Sequence, residues 1–128
     1  MPHPIVFIVR NRIKQGSEKE FREFYRDSIP RIEASKPDTL VQLAYIDKAA
    51  AEVVILRLFP NSEAMDLHLQ GADERSKAAY QFIEPTTIEI YGEPGNFALE
   101  IMNKVAVSGI KISILPQYMG GFIRPKTG

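Results

Sequence analysis

The segment Ile5 to Ile13, IVFIVRNRI, is apolar at almost every position of its first half. Side chains of a strand point alternately to opposite faces, so Ile5, Phe7 and Val9 line one face and Val6 and Ile8 the other. A sheet built on this strand needs cover on both sides. That requirement narrows the architecture more than any other feature of the chain.

The rest of the chain supplies the first cover. After the punctuation KQGS, Ser17 and Glu20 form an S-x-x-E capping box. Phe21, Phe24, Tyr25, Ser28 and Ile32 then follow three- and four-residue steps, predicting an amphipathic helix from about Glu18. Pro30 is expected to kink or restart it near Ile29. KPDT breaks the chain, LVQLAYID reads as a second strand, KAAAE as a short connection and VVILRLF as a third strand. Pro60-Asn61-Ser62 stops that strand and caps a second helix, expected to pause at Gly71 and resume through Ala72 to Ile83. PTTIEIYGEP reads as a fourth strand.

The order over Ile5 to Glu93 is therefore β-α-β-β-α-β. It is the split-βαβ plan of an α+β, ferredoxin-like fold, with a four-stranded antiparallel sheet and two helices on one face. Residues 1–95 form this domain. The other apolar face is expected to meet the same sheet of a second copy, giving a sheet-to-sheet homodimer, because monomers seldom expose apolar faces of that size. Residues 96–128 form a C-terminal extension: a helix capped by Asn96, a short strand GIKISIL and an extended tail. It is expected to pack on the same domain or on the partner.

Sixteen Lys and Arg residues balance sixteen Asp and Glu residues among 128. A neutral chain lacks the electrostatic drive for nucleic-acid binding, so no nucleic-acid partner is expected. No apolar run approaches the ~20 residues that span a bilayer, and the apolar N-terminal stretch is too short for a signal peptide. The expectation is a cytoplasmic protein without a membrane partner. There are no cysteines and only two distant histidines, so no metal-ligand spacing exists. No Gly-rich phosphate loop or serine-nucleophile motif is present either.

Few polar residues interrupt the apolar pattern. Asn11 lies on the Ile5, Phe7, Val9, Ile13 face. It either pairs with a neighbouring loop or offers a polar contact inside a cavity. His68 flanks the buried stripe that Met65 and Leu69 define on the second helix. One reading makes it a rim histidine bonded to backbone or water; the other makes it a neutral imidazole that accepts a phenolic proton. Tyr80, three turns further along an unbroken helix, and Tyr45 on the second strand either line the same cavity or fill core and interface. Arg57, inside VVILRLF, is expected to pair with an acidic residue across the sheet or to bind an anionic substrate.

VFIVRNRIKQGSEKEFREFY followed by AEVVILRLFPNSEAMDLHLQG resembles the antibiotic-biosynthesis-monooxygenase-like family of dimeric α+β barrels, over roughly Val6 to Glu93. The resemblance rests on Gly16, Glu20-Phe21, Phe59, and Ser62-Glu63-Ala64 with His68. Asn11 is similar to the first-strand asparagine of the haem-degrading branch, but that branch's axial histidine has no counterpart. The cofactor-free oxygenase branch fits better. The resemblance thus implies a cofactor-independent monooxygenase acting on a small phenol or hydroquinone, colourless and metal-free. His68 would accept the proton, Asn11 or Tyr80 would steady the phenolate, and Tyr80, Met65 and Tyr45 would bind a small aromatic substrate. The alternative is a non-catalytic binding or structural dimer in which side chains fill the gap.

Overall fold

The computed structural model describes residues 3–124. Nine elements follow in the order β1 (Ile5–Ile13), α1 (Glu18–Ser35), β2 (Val41–Asp47), β3 (Glu52–Phe59), α2 (Ser62–Leu69), α3 (Ala72–Ala79), β4 (Ile83–Tyr91), α4 (Asn96–Val107) and β5 (Lys111–Leu115). The strands form one sheet in the order β2-β3-β1-β4-β5. The first four are mutually antiparallel, whereas β5 runs parallel to β4. The expected four-stranded antiparallel sheet is therefore a five-stranded mixed one. A parallel neighbour needs a crossover, and α4 provides it.

Register assigns each strand residue to a face. Opposite Ile5, Phe7 and Val9 stand Phe59, Arg57 and Ile55 on β3 and, for the last two, Ile90 and Ile88 on β4. Gln42 and Ala44 on β2 continue that face. The helices all pack there. Ile5, Phe7, Phe59, Ile88 and Ile90 meet Met65 and Leu69 of α2 and Ala98 and Met102 of α4, so the C-terminal helix belongs to the same core. A second cluster joins Ile13, Val53, Ile55 and Ile83 to Phe21 of α1.

Local details refine the expectations. Ser17 starts α1 through its carbonyl alone, which accepts from the Phe21 amide, and its side chain makes no cap bond. The capping box is not formed. Nor does Pro30 break α1, which runs through it to Ser35. The pause at Gly71 is real: this residue takes φ of 78°, the left-handed region that glycine enters without a Cβ clash, and α3 restarts behind it. Gly95, not Asn96, precedes α4, and the Asp66 carboxylate accepts from the Ala98 amide at 3.2 Å. A Cβ on Gly95 would come within 2.8 Å of that carboxylate. The apolar pattern could not show this cap, because its two parts are far apart in the chain.

The opposite face of the sheet carries Val6, Ile8, Val54, Leu56, Leu58 and Leu43, and no described helix packs on it. Arg10, Glu89 and Tyr91 bond to one another towards the β4 side, at 2.6 Å for each contact to Glu89. No helix of the described residues is long and apolar enough to cross a membrane.

Candidate functional site

On β3 the residues Val53, Ile55, Arg57 and Phe59 share the helix face, and Arg57 is its one charged member. Its cross-strand neighbour is Gln42. Arg57 Nε donates to Gln42 Oε1 at 2.8 Å, and Gln42 Nε2 donates to the Tyr25 hydroxyl at 3.3 Å. An amide thus joins a guanidinium to a phenol. The acidic partner expected for Arg57 is absent: among the described residues no salt bridge involves it.

Tyr25 sits one turn beyond Phe21 on α1, with ring centroids 6.0 Å apart. Both rings line a concavity of about 360 Å³ between α1 and the β2 edge, together with Ile29, Ala44, Ile46 and Val53. Arg22, Arg26 and Tyr45 complete its wall. Since the Tyr25 oxygen accepts from Gln42, its own proton is free to donate.

Behind Tyr25 lies the α2–α3 corner. The carbonyls that α2 leaves open at its C-terminal end are met by cations. Lys36 Nζ donates to Leu67 and Gln70 oxygens at 2.7 and 3.0 Å; Arg75 donates to the carbonyls of His68 and Gln70 at 2.5 and 3.1 Å. These contacts satisfy helix-end acceptors and suit the negative end of the helix dipole. They also make the corner cationic. Burial, with repulsion from Arg75 acting alongside it, lowers the Arg57 pKa to about 10, while the neighbouring Tyr25 opposes the shift. Burial likewise lowers Lys36 and Arg75.

His68 faces inward at this corner. Only 2% of it is exposed, its Nδ1 shares a 2.7 Å hydrogen bond with the Thr39 hydroxyl, and its ring packs against Phe59 at 5.3 Å. The rim position expected from the sequence is thus corrected. Burial first, then the charges of Arg57, Arg75 and Lys36, push its pKa down to about 3. The imidazole is neutral near pH 7 and holds a proton poorly.

The five residues singled out in the sequence do not converge on one cavity. Asn11 is as buried as His68, but its amide donates to the Val9 and Val53 carbonyls at 3.3 and 3.4 Å, beside a bulge against β4. Val53 and Phe59 are six positions apart on β3, or about 20 Å at a strand's rise per residue, so Asn11 and His68 belong to different ends of the sheet. Met65 is sealed in the core. Tyr80 ends α3, its carbonyl holding Lys14 Nζ at 2.6 Å, and its ring is partly exposed. The turn at Gly71 takes it off the straight helical line from His68. Tyr45 alternates to the opposite face and is 66% exposed, reaching the concavity only at its lip.

From the sequence Tyr25 reads only as part of the α1 stripe and Gln42 only as a strand residue. Gln42 carried the same signal as Arg57, a polar residue on an apolar strand face, but only the β2–β3 register brings the two together. Among the described residues no cluster of three His, Asp or Glu residues could hold a metal ion.

No family model and no curated protein matches the chain. Solved structures do. MupZ from Pseudomonas fluorescens superposes with a TM-score of 0.71 at 12% identity, over 94% of this chain and 91% of that one. A putative antibiotic biosynthesis monooxygenase from Caulobacter crescentus gives 0.61 at 18% identity, over 70% and 88%. SnoaB, a cofactor-independent oxygenase from Streptomyces nogalater, gives 0.59 at 11% identity, over 73% and 96%. The 6% of the chain that the MupZ match leaves out is about eight residues, fewer than the twenty from Asn96 to Leu115, so MupZ shares at least part of the α4–β5 extension. At these identities the likeness is one of fold. The chain has the α+β fold of the antibiotic biosynthesis monooxygenase-like proteins, enlarged by a C-terminal helix and a parallel fifth strand.

Proposed function

We propose that the protein is a cofactor-independent monooxygenase that oxidises a small phenol or hydroquinone with O2. The observation that carries this reading is Tyr25 on the wall of a concavity lined by aliphatic, aromatic and arginine side chains, its hydroxyl backed through Gln42 by the Arg57 cation. A phenolate oxygen seated there would accept from Tyr25, in a setting that favours negative charge. An electron-rich phenolate supplies the electrons itself: phenol plus O2 gives quinone plus water, one oxygen atom entering the ring and the other leaving as water. No external reductant is needed. SnoaB, described as a cofactor-independent oxygenase, shows that chemistry of this class occurs on the fold.

His68 is a weak candidate for the proton acceptor. A pKa of about 3 lies roughly seven units below that of an ordinary phenol, so the transfer costs on the order of 10 kcal/mol. It acts instead as a neutral group that holds Thr39, and the proton leaves to solvent at the mouth. Asn11 holds the β1 bulge. The check is oxygen uptake with a panel of hydroquinones. Wild-type protein is expected to consume O2, and Tyr25→Phe to slow it about 10- to 100-fold, the worth of one hydrogen bond to a charged oxygen. A second reading, a non-catalytic binding dimer, is favoured by the sealed His68 and Asn11. Absence of uptake on every substrate would select it.

The same proposal includes the assembly and its setting. A second copy covers the open sheet face, with Val6, Ile8, Leu56 and Leu58 at the centre and the Arg10–Glu89–Tyr91 group at its rim, as interfaces place their polar groups. Light scattering at micromolar concentration should give a species of twice the chain's mass. Leu56→Glu, placed at the centre, should return it to a single chain. The site takes a small aromatic molecule in a cytoplasmic protein that binds neither nucleic acid nor membrane, and a purified sample should be colourless.

A further inference from the structure

Arg57 is poorly matched to the fold that surrounds it. It lies half-buried beside Phe7, Ile55 and Phe59 on the face that packs against the helices. A cation drawn from water into such a place is costly unless a negative charge or a full set of acceptors meets it. Only its Nε has an acceptor, the neutral Gln42 amide. Its terminal nitrogens Nη1 and Nη2 bond to no described residue. Yet no fully buried side-chain nitrogen or oxygen lacks a partner among the described residues. The two nitrogens therefore border space that a water-sized molecule can enter. They form an unfilled planar fork, one alternation step along the sheet from Ala44 and two from Val53, both of which line the concavity beside Tyr25.

The neighbours reinforce the imbalance. Lys36 and Arg75, both committed to the end of α2, add positive charge, and no carboxylate pairs with either among the described residues. Each lowers the basicity of His68, which places their fields at this corner. An unpaired fork beside two further cations fits a planar anion that offers two oxygens side by side.

We infer that the Arg57 fork is a binding site for the carboxylate of a small aromatic acid whose ring rests against Tyr25 and Ala44. That this acid is the substrate, making it a phenolic acid and not a neutral phenol, rests on the oxygenase reading; the anion site does not. Carboxylate capture would orient the ring, while the Tyr25 hydroxyl remains available to the phenol oxygen.

Benzoate and its neutral isostere benzamide test the site on the full-length protein by calorimetric titration or by ligand-observed NMR. Wild-type protein is expected to bind benzoate at least tenfold more tightly than benzamide, with the preference shrinking as salt is added. Arg57→Gln should abolish the preference, and Arg57→Lys, which keeps the charge without the fork, should restore part of it. Equal affinity for the two compounds in wild-type protein overturns the inference, and this comparison needs no variant to fold. So does a benzoate preference that survives Arg57→Gln. Benzoate preference without any oxygen uptake would sink the oxygenase reading and leave this site standing. Uptake of O2 with neutral hydroquinones but no benzoate preference would do the reverse.

Discussion

Lowering the pH from 7.5 to 5 is expected to remove about 2 kcal/mol of stability through His68 alone. In the unfolded chain its imidazole titrates near 6.5; in the fold, burial and three nearby cations hold it to about 3. Above pH 6.5 both states carry it neutral, and it contributes no pH dependence. Between 6.5 and 3 the unfolded chain takes up a proton that the fold refuses, so stability falls by up to about 1.4 kcal/mol per pH unit. Below about 3 the folded imidazole charges too and the loss levels off. The upper part of this window lies above the range in which Glu84 and Glu89, both held below the ordinary carboxylate pKa by their hydrogen-bonded partners, lose their contacts. Thermal melts at fixed protein concentration should show Tm falling by several degrees between pH 7.5 and 5. His68→Gln, which keeps a polar group for Thr39 without the titration, should flatten that slope. A variant with the wild-type slope would show that His68 is solvated in the native state.

Phe59→Ala is expected to cost about 3–5 kcal/mol, the range for removing a large buried aromatic side chain. Phe59 has no exposed surface and closes β3 opposite Ile5. Its ring lies 6.5 Å from Phe7 and 5.3 Å from His68. Truncation leaves a void that β1, β3 and α2 cannot all close, because two of them are tied by strand hydrogen bonds. Urea denaturation should show the midpoint fall with an unchanged slope, and Phe59→Leu should recover much of the loss. The two predictions are coupled. Water entering the void would hydrate His68, raise its native pKa and reduce the acid sensitivity just described. A loss under 1 kcal/mol, with the pH slope intact, would mean that the core repacks around the gap.

How far the site was legible can be traced through individual residues. Arg57 stood out because a charge interrupted an apolar strand, and both readings given to it named an anion. In the fold no Asp or Glu of this sheet pairs with it, and its described partner is the neutral Gln42 amide. His68 was placed on the flank of its helix by the spacing from Met65, but flank positions are sealed or open according to what lies across from them. Phe59 and Thr39, nine and twenty-nine positions earlier, seal this one. Asn11 shared an apolar face with a candidate cavity, yet its amide found backbone carbonyls at a bulge that no local pattern announces.

The sequence by itself determined the alternation of strands and helices, the two apolar faces of the sheet and the stop at Gly71. These depend on side-chain period and backbone freedom within a few residues. Only the tertiary structure decided which polar groups meet. The pairing of β2 with β3 set Gln42 beside Arg57, the turn at Gly71 carried Tyr80 away from His68, and the crossover through α4 made β5 parallel. Contacts of that kind depend on strand register and on helix placement. Both are settled by packing over the whole core, and no stretch of sequence carries them alone.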